Sequence, residues 1–184
     1  MTPPVDLKRE QRGVVRGAAL AAATCVIFGL LGWISADTIV ARSDDPLTRL
    51  LLALRLDLAL LFCLVAAIGR VANGRFASAE DIGAGAAPTE SAFIRERRAQ
   101  LQNTLEQVVL ALPVHLALAT LLPPDRMGVI AALVLLFVAG RIAFTLGYAR
   151  GGPGRAFGFG LTFYPTAAAL LAAILLALGH YGGA

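Results

Sequence analysis

Arg141 is preceded by Val138 and Ala139 and followed by Ile142, Ala143 and Phe144, so a permanent cation sits deep in an apolar run. Hydrocarbon makes such a guanidinium costly unless it meets a partner or a wet cavity, which marks Arg141 as a candidate for binding an anion. At helical spacing, Arg141, Phe144 and Tyr148 stand at i, i+3 and i+7, one stripe that presents a cation, a ring and a phenol. An interhelical structural salt bridge is the competing reading of the same arginine. Upstream, Gln102, Asn103 and Glu106 are expected to share one face of a helix turned into the bundle, with Glu106 as the partner of Arg141. Arg95, Arg97 and Arg98 lie just before them, so the three polar groups read as the floor of an anion pocket below a cationic mouth. Arg155 follows the run Gly151-Gly152-Pro153-Gly154 and is free to snorkel to the membrane surface; it either serves the pocket or marks the end of a helix.

Other polar residues inside apolar runs suggest structural roles. Arg55 and Asp57 are two residues apart, point to nearly opposite helix faces, and each needs a partner on another helix. His115 lies in an apolar segment and His180 near the end of the last one, neither with companions at ligand spacing, so no metal site is expected. Cys25 and Cys63 sit far apart inside apolar stretches, as small buried residues.

Residues like these must be carried by elements that lipid tolerates. The 184 residues are 58% hydrophobic and 15% charged, with a mean hydropathy of +0.74, where a soluble domain is roughly one quarter charged. A soluble core of this length cannot hide so many apolar side chains, whereas a bundle in lipid leaves them facing outward. Apolar runs over Gly17–Val40, Leu47–Ile68, Ala99–Leu122, Met127–Ala149 and Phe157–Leu178 each come close to the roughly 20 residues that cross a bilayer. Between them lie Asp44-Asp45-Pro46, the polar stretch 72–93, Pro123-Pro124-Asp125 and the Gly151–Gly154 run, all turn or linker signals. Lipid offers no water to open backbone groups, and no short alternating pattern suggests a barrel, so five α-helices are expected.

Charge orients them. Lys8, Arg9, Arg12, Arg16, Arg70, Arg75, Arg95, Arg97, Arg98, Arg150 and Arg155 fall on one side and only Arg42, Arg49 and Arg126 on the other, which places the amino terminus in the cytoplasm. The net charge of +4 forms no basic stripe with interleaved aromatics, so no nucleic acid is expected as a partner. The first apolar run could also be read as a cleaved signal, given the charges before it and the small residues Ser35 and Ala36 after it. It exceeds the roughly 7 to 15 residues of a signal core, which favours an anchor helix.

The stretch Arg98-Ala99-Gln100-Leu101-Gln102-Asn103-Thr104-Leu105-Glu106 resembles a signature of the MAPEG family, the membrane-associated proteins in eicosanoid and glutathione metabolism. There the second helix begins with arginine and alanine followed by N-x-x-E, which Asn103 and Glu106 fill. Gly147-Tyr148-Ala149-Arg150, then four residues and Arg155, is similar to the G-Y-A-R-x-x-x-x-R run of leukotriene C synthase, and Arg141 falls at a family arginine position. With Gly69-Arg70-Val71-Ala72-Asn73-Gly74-Arg75-Phe76, the likeness spans roughly residues 47–180 and leaves the first helix outside.

The resemblance implies an all-α integral membrane protein, a four-helix MAPEG-like transmembrane bundle plus one extra N-terminal transmembrane helix. It divides the chain into residues 1–42, an N-terminal cytoplasmic segment and the extra helix, and residues 43–184, the four-helix domain. A bacterial-type member similar to microsomal glutathione transferases is implied, multi-pass in the inner (plasma) membrane and assembled as a homotrimer. Glutathione is then the co-substrate, bound between subunits, and a lipophilic small-molecule substrate arrives through the lipid bilayer. Carried over residue by residue, Arg155 matches the catalytic arginine that holds the thiol as thiolate, Arg141 and Tyr148 match peptide-binding positions, and Asn103 and Glu106 match the polar pair at the peptide's other end. The chemistry is coherent: a thiol of pKa roughly 8.5 is mostly protonated at neutral pH, and a fixed cation raises the population of the nucleophilic thiolate. Arginine forks suit the two carboxylates of glutathione.

The chain also departs from the pattern. The family arginine four residues before the asparagine is Ala99, with Arg98 displaced by one and expected to reach around the helix to bind glutathione in its place; the aromatic after the glutamate is Gln107; and a tyrosine seen in eicosanoid enzymes is Phe144. Eicosanoid chemistry is therefore not expected. The expected function is a membrane-bound glutathione-dependent transferase or peroxidase acting on lipophilic electrophiles or hydroperoxides. The alternative is a noncatalytic MAPEG-like scaffold or anion-binding membrane protein. A channel or transporter finds no paired broken helices to support it.

Overall fold

A computed structural model describes residues 6–40, 42–83 and 90–182, and its elements are helical throughout. His180 lies outside the described side chains. Six α-helices follow in order: α1 (Leu7–Ile34), α2 (Ala36–Ile39), α3 (Pro46–Phe76), α4 (Ala92–Leu121), α5 (Gly128–Gly147) and α6 (Gly151–Gly182). Four helical stretches are long and apolar enough to cross a membrane, and the last, Pro124–Gly179, contains both α5 and α6. Those two lie side by side, so counted apart the spanning helices are five.

Local chemistry sets the helix starts. Asp6 caps α1 by accepting from the Arg9 N–H at 3.2 Å, so this helix begins well before the apolar run and carries Lys8, Arg9, Arg12 and Arg16 on its first turns. Asp45 accepts from the Thr48 N–H at 2.8 Å with Pro46 in the first turn, so the stretch expected as a turn also starts a helix. Ser91 accepts from the Ile94 N–H at 3.2 Å and starts α4 well before Ala99. The Gly151–Gly154 run proves to be a turn only at its first residue. Gly151 has φ 75°, a conformation that side chains disfavour, and α6 begins there.

Lipid gives apolar helices little reason to associate, so small residues that let backbones approach must do it. At Gly158 an added Cβ would stand 2.5 Å from the Phe144 Cα and 2.7 Å from the Gly140 oxygen, which is how closely α6 crosses α5. Along α1 and α6, Gly13 meets Pro153, Gly17 meets Ala156 and Ala21 meets Gly160, so the extra helix runs parallel to α6. α3 pairs antiparallel with α4, from Gly74 beside Ile94 at one end to Arg49 at the Leu122 carbonyl at the other. The core lies among α3, α4, α5 and α6, with Leu60, Ala111 and Phe137 at its centre and Met127 and Ile130 nearer the far end.

Candidate functional site

The near end of the bundle is the one where α1, α4 and α6 begin and α3 and α5 end. The inward face of α4 there is Gln100, Thr104, Gln107, Ala111, Val114 and Leu118, a seam of alternating four- and three-residue steps that is buried along its length. Asn103 stands at the edge of this seam, half-buried, while Gln102 and Glu106 are exposed and bonded to each other at 3.0 Å. The expected inward face of Gln102, Asn103 and Glu106 is therefore rotated. Among the described residues, Asn103 alone of the three bonds to a buried side chain, that of Arg141.

This rotation changes the partners of Arg141. The guanidinium donates to Asn103 Oδ1 at 2.8 Å and to Thr162 Oγ1 at 2.5 Å, and it lies 4.6 Å from the centre of the Phe144 ring. Glu106 is not its partner: its carboxylate is turned outward on α4 and accepts from Gln102. Arg141 is thus held by a neutral amide and a hydroxyl, and its Nε has no hydrogen-bond partner although it is buried. Thr162 is itself anchored, donating to the Phe159 carbonyl at 2.9 Å.

Beside this tie lies a cavity of about 540 Å³ that opens at the near end. Asn103, Phe144, Tyr148 and Arg155 line it, and Val14 and Ala18 of α1 form its other wall. Arg155 is exposed and its guanidinium lies 4.9 Å above the Tyr148 ring, while the Tyr148 and Phe144 rings meet edge to face at 5.3 Å. A cation, a phenol and an amide thus converge on one space with an aromatic floor. Arg98 is not among them. It is exposed and pairs with Glu90 at 3.2 Å, because five residues along α4 carry it well around the helix from Asn103.

Glu90 belongs to a separate polar cluster at the same end. It binds Arg75 at 2.8 Å as well as Arg98, and the Arg75 hydrogen bond holds its carboxyl below the usual carboxylate range. Asp81 accepts from the Ser91 N–H at 2.9 Å and the Ser78 hydroxyl at 2.7 Å, which likewise lowers its pKa. Arg70 donates to Gln100 at 2.7 Å and Arg97 to the Arg70 carbonyl at 2.5 Å. The cluster staples α3 to α4 at this end.

Two features escaped the sequence reading. Thr162 carries no charge, and only its spacing to Thr166 on an apolar helix could have suggested an inward polar edge. His115 Nδ1 lies 2.6 Å from Asp57 Oδ1, both 1% exposed, so each residue is the partner the other needed. Arg55, by contrast, is exposed on α3.

A bundle of long apolar helices, with a cavity lined by Arg155, Tyr148, Phe144 and Asn103 at one end, defines an all-α membrane protein. Residues 50–175 match the MAPEG family model, more than half of the chain, and the protein belongs to that family. Comparison with curated proteins and with solved structures gave no match. The matched segment covers α3 to α6 and leaves α1 outside.

Proposed function

We propose that the protein is a membrane-bound glutathione-dependent transferase or peroxidase acting on lipophilic electrophiles or hydroperoxides. The observation that carries this reading is the convergence of Asn103, Tyr148 and Arg155 on one cavity, in a chain of the MAPEG family. Glutathione enters from water as co-substrate, and its carboxylates suit the arginines while the aromatic floor excludes solvent from the sulfur. Arg155 is the catalytic cation: beside it the thiol loses its proton more readily, and the thiolate attacks an electrophilic carbon or the terminal oxygen of a hydroperoxide. Arg141 acts on the peptide through Asn103, whose amide it orients. Arg155→Ala should leave glutathione bound while thiolate absorbance in the ultraviolet and conjugation rate fall together. Binding with undiminished thiolate would show Arg155 to be a mere helix-end charge.

A noncatalytic anion-binding scaffold is the second reading, favoured by the outward Arg98 and Glu106, two family positions that do not line the cavity. Glutathione titration of the solubilised protein separates the two. The same reading includes a homotrimer in the inner (plasma) membrane with a cytoplasmic amino terminus, and a division into the 1–42 segment and the 43–184 domain. The exposed Gln102–Glu106 pair and exposed Arg55 support self-association, since lipid is a poor neighbour for them.

A further inference from the structure

The cations of the near end fall into two groups. On α3 and α4 each has a partner within the bundle: Arg70 holds Gln100, Arg75 and Arg98 share Glu90, and Arg95 and Arg97 donate to the carbonyls of Glu90 and Arg70. On α1, Lys8, Arg9, Arg12 and Arg16 are exposed, and among the described residues their side chains make no ion pair or hydrogen bond. Charge on this helix is also sorted by face. At about 100° per residue the four cations fall within an arc of roughly 100°, while Glu10 points the other way. An added Cβ at Gly152 would stand 3.8 Å from Glu10 Oε2, so that carboxylate meets the first turn of α6, where the helix dipole favours it. The outward arc is left with four cations and no acid. Lys8, Arg12 and Arg16, with Gln11 and Val15 between them, line a recess of about 360 Å³. Along the same arc the helix then turns to hydrocarbon: Ala19, Ala23, Val26 and Leu30 lie on it and are all exposed, Val26 at 61% and Leu30 at 58%.

We propose that this outer face of α1 binds an acidic phospholipid, its phosphate among Lys8, Arg12 and Arg16 and an acyl chain along Ala19, Ala23, Val26 and Leu30. Arg16 is the last residue before the apolar run and Arg12 stands one turn above it, so both lie at headgroup depth. Lys8, a further turn out, reaches the same layer by extending its stem. A zwitterionic headgroup brings its own ammonium, which these cations repel, so the face selects lipids of net negative charge. The exposed hydrocarbon directly below the cations favours a lipid over any water-soluble polyphosphate, which would use the charges and leave the apolar strip uncovered. Because α1 lies outside the matched family segment, the site belongs to the chain's own extra helix.

Trp33 is the sole tryptophan, so Trp33→Phe combined with Ala23→Trp moves the one fluorophore beneath the cations. The full chain is placed in mixed vesicles of phosphatidylglycerol and phosphatidylcholine, with one lipid at a time brominated on its chains. Brominated phosphatidylglycerol should quench the tryptophan more than its mole fraction accounts for. Each of Lys8→Gln, Arg12→Gln and Arg16→Gln should lower this preference by up to roughly fivefold, the scale of one cation at a membrane surface, and the triple variant should abolish it. Arg150→Gln, which removes a near-end cation off α1, should leave it unchanged. A preference that survives in the triple variant, or falls as far in Arg150→Gln as in the α1 variants, overturns the proposal, the latter because it reduces the face to diffuse surface charge. Equal quenching by the two lipids in the parent overturns it too, and a short RNA bound by the parent and lost by the triple variant would then assign the cations to nucleic acid. Quenching by neither lipid also refutes it and assigns the face to a second copy of the chain. A second readout uses the natural tryptophan content: native mass spectra of the solubilised parent should retain phosphatidylglycerol that the triple variant loses, and equal retention by both would count against the site.

Discussion

His115→Leu tests the strongest claim about what holds α3 to α4. The imidazole and the Asp57 carboxylate meet at 2.6 Å with both side chains 1% exposed, and Asp57 Oδ2 has no hydrogen-bond partner. Among the described residues, the pair is therefore the one hydrogen bond that Asp57 makes inside the bundle. Losing a hydrogen bond to a charged group costs about 1.5–3 kcal/mol. Leaving its buried partner stranded raises the total to about 3–5 kcal/mol. At 1.36 kcal/mol per factor of ten, that is at least a hundredfold shift toward the unfolded form. Asp57→Leu should cost a similar amount, whereas the double replacement, which removes both polar groups, should recover most of the loss. The assay is denaturant unfolding of the solubilised protein for the parent, both single variants and the double variant. Losses that simply add in the double variant would mean that the two groups do not interact, and the account of the α3–α4 seam would be wrong.

The Asp81 and Glu90 carboxyls have folded pKa values below their unfolded ones, so their stabilising effect is complete above roughly pH 4 and is lost as pH falls through the lowered values. Amide exchange at Ser91 and in the first turn of α4 should accelerate on acidification below that point, and Asp81→Asn with Glu90→Gln should flatten the dependence. An impermeant thiol reagent added outside intact cells should spare Gly83→Cys, in the stretch between α3 and α4, if the excess of positive charge at that end faces the cytoplasm as proposed; labelling would invert the topology. Gln102→Leu with Glu106→Leu should shift the solubilised complex toward monomer if a neighbouring protomer covers that face. An unchanged mass would make it a lipid-facing surface.

The helices were legible because lipid leaves so few alternatives: apolar runs of spanning length must become helices, and Asp45-Pro46 and Ser91 cap them by local chemistry. Of the polar residues that the sequence singles out, Asn103, Tyr148 and Arg155 line one cavity and Arg141 is bound to the first of them. The error at Glu106 has a definite origin. Grouping Gln102, Asn103 and Glu106 by polarity assumes that polar residues choose the inward face, but the azimuth of α4 is set by its longest packed seam. From Gln100 to Leu118 that seam runs in steps of four and three residues, and Gln107, Ala111 and Val114 carry it where Glu106 cannot follow. The role of α1 was illegible for another reason. Its contacts with α6 and its wall of the cavity depend on glycines facing small residues far away in sequence, which no local pattern reveals.

Hydrocarbon sorts the polar residues of this chain by what surrounds them. Asp57 with His115, and Arg49 at the Leu122 carbonyl, are buried and paired inside the bundle, although Asp57 Oδ2 and Arg49 Nε have no hydrogen-bond partner among the described residues, and so bear on stability. Tyr148 and Arg155 face an open cavity, where their polar atoms are available to a ligand, and so bear on binding. Gln102, Glu106 and Arg55 face outward, where Gln102 and Glu106 bond to each other. Arg141 belongs to the first class by burial and to the second by contact, since one arm of its fork anchors in Thr162 and the other holds the Asn103 amide at the cavity wall. A lysine could not span both acceptors with one planar fork, which is the physical reason that this position calls for arginine.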